Sequence, residues 1–201
     1  LEALLRPLSL KPADAAIAIA REALTRRKRF LGLSPREARV AQADDAVLRV
    51  VFGEPSTEER PTLPVTLAGL RGELVLRARG LDAAGVLQTT VFIEQRPLPA
   101  EALDTAGVPA EVALEHPALR ANEAFQGVER DAALTDAMRA VKRVLAEALA
   151  VLADELAGAL SLHDPRRQWF GPSLDDLSPA TRRAMARAAF DTLRGASADP
   201  A

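Results

Sequence analysis

One run constrains this chain more than any other. Over residues 131–160, Leu134, Met138, Val141, Leu145, Leu149, Leu152, Leu156 and Leu160 return at three- and four-residue steps. Asp136, Arg139, Lys142, Arg143, Glu147 and Asp154 fill the opposite side. With 3.6 residues per turn, that spacing draws one apolar stripe along an α-helix. Thirty residues at 1.5 Å each reach about 45 Å, farther than a small sheet extends. One end is therefore expected to project, to kink near Gly158, or to meet a partner. The steps drift toward 3.6 instead of holding a strict heptad, which favours packing on a sheet over a coiled coil.

Such a stripe needs a matching apolar surface, and the sequence offers strands. Residues 47–52 (VLRVVF) are branched and aromatic and read as a buried strand. Residues 73–79 alternate, with Leu74, Leu76 and Ala78 on one side and Glu73, Arg77 and Arg79 on the other; Val75 breaks the pattern. Residues 87–94 alternate again through Leu87, Thr89, Val91 and Ile93. Asp82-Ala83-Ala84-Gly85 between these runs predicts a β-hairpin, ended by Pro97 and Pro99. Residues 4–10 and 30–33 read as further short strands. Residues 13–27 read as a helix with Ala13, Ala16, Ile17, Ala20 and Leu24 on one side. Residues 53–70 carry three prolines and read as an excursion. Residues 100–130, broken at Gly107, Pro109, Pro117 and Gly127, read as an irregular connection, a functional loop or a covering flap. Ser178 and Pro179 open a last helix through Met185, Ala189 and Leu193, closed by Gly195, with the final residues frayed.

The expected fold class is α+β. A mainly antiparallel sheet is covered on one face by two helices, 13–27 and 131–160, with a short C-terminal helical tail. The domain reading is an α/β sandwich domain over residues 1–160 and a helical tail over 161–201. The expected core comprises Ile17, Leu24, Val50, Leu74, Leu76, Val91, Ile93, Leu145, Leu149 and Leu152.

Composition matters mainly for what it excludes. There is no cysteine, hence no disulfide, thiolate ligand or Cys nucleophile, and two histidines cannot build a three-His zinc site. The chain has no G-x-x-x-x-G-K-[ST], no G-x-G-x-x-G, no G-x-S-x-G and no H-E-x-x-H. Its 26 basic and 28 acidic residues give a formal charge of −2, without the basic excess of a nucleic-acid binder. The charge is uneven: residues 1–50 are net +4 and residues 101–150 net −4. No apolar run is long enough to span a membrane. The first residue is Leu1, which reads as the start of a trimmed or processed chain.

Several side chains have a functional reading beside a plainer one. His163 next to Asp164 suggests a base and its orienter, although no nucleophile is signalled nearby. Glu111, Glu115 and His116 suggest metal ligands, against an exposed loop. Asp44-Asp45 and Asp175-Asp176 read as turn and cap acids, against a two-carboxylate hydrolase that would also want sugar-stacking aromatics. Trp169 and Phe170 either pin the tail to the core or form a partner hot spot. Arg26, Arg27, Lys28 and Arg29 either complement the end of a helix dipole or contact an acidic partner or anionic surface. No catalytic residue, cofactor or metal ligand is assigned.

The strand–helix–strand opening, the segment GELVLRARGLDAAGVLQTTVFIEQ and the long helix DAMRAVKRVLAEALAVLADEL together resemble small bacterial envelope lipoproteins. These are the LptE and PqiC-like lipoproteins of lipopolysaccharide assembly and lipid-transporting ABC systems, with TolB amino-terminal and CsgG-like domains of similar order. The resemblance covers about residues 1–160. It implies a non-enzymatic binding or assembly module of the periplasm or outer membrane, with a protein partner in an envelope complex, an anionic lipid surface as a further contact, and no nucleic acid. The chain departs from these families in having no lipidated cysteine, a long 100–130 segment and an extra tail. The alternative expectation is a cytosolic α/β scaffold or adaptor that dimerises through the long helix.

Overall fold

A computed structural model describes residues 38–40, 44–54, 61–78, 86–100, 103–104 and 109–198. The strands expected at 4–10 and 30–33, the helix at 13–27 with Ile17 and Leu24, and the basic run Arg26–Arg29 lie outside the described residues.

The long helix forms and is shorter than its sequence pattern. Helix α1 spans Ala132–Leu156, 25 residues, about 37 Å of axis. Asp131 caps its start, its carboxylate accepting from the Leu134 N–H at 2.9 Å. Gly158 ends it at φ +69, a left-handed turn that a glycine makes without a Cβ penalty. There the Gly158 N–H donates to Glu155 O at 3.0 Å and the Ala159 N–H to Asp154 O at 2.8 Å, closing two of the helix's last carbonyls. The apolar pattern runs on to Leu160 because the chain after the turn folds back into the same core, where Leu160 is buried.

That core is one face of a mixed, mostly antiparallel sheet. The strands are β1 (Ala46–Phe52), β2 (Thr62–Leu63), β3 (Arg71–Arg77), β4 (Val86–Ile93), β5 (Arg96–Pro99), β6 (Leu103–Asp104) and β7 (Ala110–Glu115). Their order is β2-β1-β3-β7-β4-β5, with β6 beside β5 on the same edge of β4. β1–β2 and β4–β7 pair in parallel, and the other pairs are antiparallel. Val50, Leu74, Leu76, Leu87, Val91, Val112 and Leu114 from the strands meet Leu145, Leu149 and Leu152 from α1. Of the expected core, Val50, Leu74, Leu76, Val91, Leu145, Leu149 and Leu152 are buried, and Ile93 is partly buried against them.

The expected hairpin between the two alternating runs is not formed. β3 pairs with β1 and β7, and β7 lies between β3 and β4. β7 comes from the segment read as an irregular connection. Its sequence AEVALE alternates, and Ala110, Val112 and Leu114 join the core. Alternation tells which side of a strand is buried and says nothing about which strand lies next to it. The hairpin that does form joins β4 to β5 through Glu94 and Gln95, with φ of 49° and 70°. Two successive left-handed residues make the tight connection whose twist suits paired strands. The prolines taken as stops, Pro97 and Pro99, sit within β5, an edge strand where a missing N–H is tolerated.

The described helix that packs on α1 is the C-terminal one. Helix α2 covers Pro179–Ala198 and continues through Gly195, which was expected to close it. Ser178 caps it, accepting from the Thr181 N–H at 3.1 Å. Met185 and Ala189, both fully buried, place it in the same core as the sheet. Leu149 is central to that core, so Leu149→Ala is expected to cost about 2–5 kcal/mol through lost contacts and a residual cavity. Equilibrium urea unfolding should show a lower midpoint at unchanged slope.

Candidate functional site

The second face of the sheet is where ionisable side chains collect. On β3, Glu73, Val75 and Arg77 alternate with the core residues Leu74 and Leu76. Val75 breaks the sequence pattern because this face has its own small apolar cluster, Val40, Ala46, Val75 and Ala113, with Phe92 packed against it. Glu73 is 1% exposed. Its carboxylate accepts from the Arg49 Nε–H on one oxygen. On the other it accepts from Arg49 Nη2 at 3.2 Å and from the Val40 N–H at 2.9 Å. Arg39 adds an ion pair at 3.7 Å. These partners use both carboxylate oxygens, so Glu73 holds strands together and has no free edge to act as an acid or base.

Arg77 repeats the pattern one step along β3. It bonds Glu111 on β7 at 2.9 Å and Asp45 ahead of β1. The Glu111 hydrogen bond is the main reason its pKa rises above the ordinary arginine value, with further help from both carboxylates. Arg71 pairs with Glu115 in the same register. The result is a ladder of arginine–carboxylate pairs across β1, β3 and β7.

One cleft, with a volume of about 820 Å³, opens at the end of this ladder. Asp44, Asp45, Arg77, Ala78, Ser173, Asp176 and Leu177 line it. Both members of the first aspartate pair noted in the sequence, Asp44 and Asp45, and one of the second, Asp176, therefore meet here, across some 130 residues of chain. No local signal connects them. They meet because the tail after α1 returns along β1: the Phe170 backbone bridges to Leu48, the Gly171 N–H donates to Val47 O at 3.0 Å, and Ser173 Oγ donates to Asp44 O at 3.1 Å. Gly171 is required for the approach, since a Cβ there would stand 2.3 Å from Ala46 O. Asp45 is held by Arg77, while Asp44 and Asp176 are exposed and solvated.

Trp169 and Phe170 are placed as a pin. Trp169 is 3% exposed, joins the core, and donates from Nε1 to Pro61 O at 2.9 Å. Phe170 is half-buried beside β1. The structure does not join His163 to Asp164. His163 is exposed, while Asp164 caps the short turn Pro165–Trp169 and takes two side-chain hydrogen bonds from Arg166. Those bonds, with one from the Arg166 N–H, hold the Asp164 carboxyl down at about 2. Glu111, Glu115 and His116 do not converge either. Both glutamates pair with arginines. His116 Nδ1 accepts from the Ala118 N–H at 3.2 Å, which leaves Nε2 to donate to Ala68 O at 3.1 Å. Among the described residues, no group of three His, Asp or Glu side chains has the geometry to hold a metal ion.

No family model, curated protein or solved structure matches the chain.

Two outcomes follow from the ladder and the cap. Glu73→Ala leaves Arg49 and the Val40 N–H without their acceptor. The expected loss is about 2–4 kcal/mol, below the range for a fully buried pair because Arg49 keeps 32% of its side-chain surface in water. Combining it with Arg49→Met should recover part of the loss in urea unfolding. For Asp164, a depressed pKa means that the charged form favours the fold. Its contribution is complete above the ordinary carboxylate pKa near 4 and disappears as pH falls through about 2. The stability difference between the native chain and Asp164→Asn should therefore shrink over that window, and NMR titration of the carboxyl should place its midpoint near its lower end.

Proposed function

We propose that this chain is a non-enzymatic binding and assembly module of the bacterial cell envelope. In this reading it is an outer-membrane-anchored lipoprotein on the periplasmic face that supports lipid or lipopolysaccharide transport. Its partner is a protein of an envelope complex, and the basic run Arg26, Arg27, Lys28 and Arg29 meets an acidic partner surface or anionic head groups.

The observation that carries the reading is how the charges on this face of the sheet are used. Glu73 pairs with Arg49 and Arg77 with Glu111, which ties β1, β3 and β7 into one cross-linked charged face. Such a face suits contact better than turnover. Of the segments that resemble the envelope lipoproteins, the long helix adds to this, while the segment GELVLRARGLDAAGVLQTTVFIEQ does not form the hairpin expected of it. The alternative, a cytosolic adaptor dimerising through the long helix, has less support. Leu145, Leu149 and Leu152 are buried within the chain itself, and the outward side of α1 carries Asp136, Arg139, Lys142, Arg143 and Glu147.

The test is fractionation of the tagged full-length protein in cells that make it. Recovery with the periplasm or outer membrane is the expected result, and recovery in the cytosol would replace this reading with the adaptor. Charge reversal at Arg26 and Arg29 should weaken partner or liposome binding while leaving the melting temperature unchanged.

A further inference from the structure

Helix α2 presents two unlike sides. At 100° per residue, Met185 and Ala189 lie within 40° of one another, and both are fully buried against the rest of the core. Arg183, Arg187 and Phe190 fall between 140° and 200° from Met185 about the helix axis, so they form one line on the opposite side. Arg183 and Arg187 are exposed, and Phe190 is 59% exposed. The helix contains four arginines against one aspartate, Asp191, and is net +3 in a chain whose total is −2. Arg182 is used internally, donating to Leu174 O at 2.9 Å. Arg183 is exposed and donates from Nε to its own helix at Pro179 O at 3.2 Å, a bond that does not use its terminal nitrogens.

From this geometry we infer that the outer side of α2 is a contact surface for an anionic lipid bilayer. The argument is charge complementarity together with shape. A positive line on an otherwise acidic chain selects a negative partner. Among the described side chains of the helix, Pro179, Ala180 and Ala184 are also exposed, and all three are short, so the arginines stand above their neighbours and suit a flat partner better than a groove. An exposed aromatic flush with arginines is the mixture found where a helix lies in a head-group layer, with the ring at the apolar boundary and the guanidinium groups on the phosphates. The apolar side of α2 is already committed to the core, so the contact is peripheral and reversible. The inference rests on the envelope reading for where the chain would meet such a surface.

The experiment is sedimentation of the purified chain with phosphatidylcholine vesicles, with and without phosphatidylglycerol, at low and high salt. Binding should require phosphatidylglycerol and weaken with salt. Each arginine near an anionic surface is worth about five-fold in partitioning, so Arg183→Gln with Arg187→Gln should lower it about twenty-five-fold at an unchanged melting temperature. Phe190→Ser should weaken it further. Equal binding to neutral vesicles, no binding to either, or unchanged binding by the double variant would overturn the inference. If the double variant binds normally while charge reversal at Arg26 and Arg29 abolishes binding, this surface is wrong and the proposed function stands. If α2 binds anionic vesicles but the protein fractionates with the cytosol, the surface stands and the envelope reading fails.

Discussion

The sheet depends on the insertion of β7. Among the described residues, this six-residue strand is the one element that joins β1–β3 to β4–β5 and β6. Without it there would be two small ribbons, each too narrow to bury a 37 Å helix. It pairs antiparallel with β3 and parallel with β4, so its backbone is satisfied on both edges. Its core side, Ala110, Val112 and Leu114, lies under α1, and its other side carries Glu111 and Glu115 to the arginines of β3. Gly72 shows how close the fit is: a Cβ at that position would lie 2.1 Å from Ala113 O. The β3–β7 approach therefore excludes any side chain at residue 72, and the fold's central contact is one of backbone against backbone.

The charged ladder follows from that pairing. Glu73, Arg77 and Arg71 find partners because β1 and β7 flank β3 and present Arg49, Glu111 and Glu115 in register. Cross-strand opposite charges of this kind add little when exposed. Here Glu73 is buried beside Val75 and Ala113, where an unpaired carboxylate would be costly, so the pairing also specifies which strands lie next to one another. The same charges that would look like an active-site cluster on a bare list are fixed by the register.

What was legible in the sequence is what depends on periodicity along one element. The stripe from Leu134 to Leu152 identified α1 and its buried side, and Leu74, Leu76 and Val91 identified the core side of their strands. Ser178 announced the start of α2. What was not legible depends on which elements meet. The turn residues Asp82 and Gly85 suggested that β3 and β4 pair, yet β7 has the same alternation and takes the place between them. Glu94-Gln95 makes a tight turn without the Asn or Gly that usually marks one. Gly195 promised a helix end, but a glycine in a helix costs only about 1 kcal/mol, which packing elsewhere in α2 can outweigh. For the candidate site, Glu73 and Arg77 were visible as a polar side of β3 and their partners were not. The cleft joins Asp44 and Asp176 only because the tail folds back along β1.

The way the tail is fastened bears on which surfaces remain for partners. Trp169 fills a place in the core, Phe170 and Gly171 close the outer edge of β1 where β2 stops, and Ser173 ties the tail to Asp44. An uncovered edge of β1 would invite pairing with another chain. At the far edge, Pro97 and Pro99 in β5 remove two ladder donors and discourage the same thing. With both edges of the described sheet blunted and the apolar stripe of α1 buried, association of the described residues by strand addition or by a helical seam is disfavoured. The described residues then offer side-chain contact through charged surfaces and single exposed apolar residues such as Phe125 and Leu162. Binding of that kind is directed by complementary charge more than by buried apolar area, and it fits a chain whose positive and negative residues are set apart along its length.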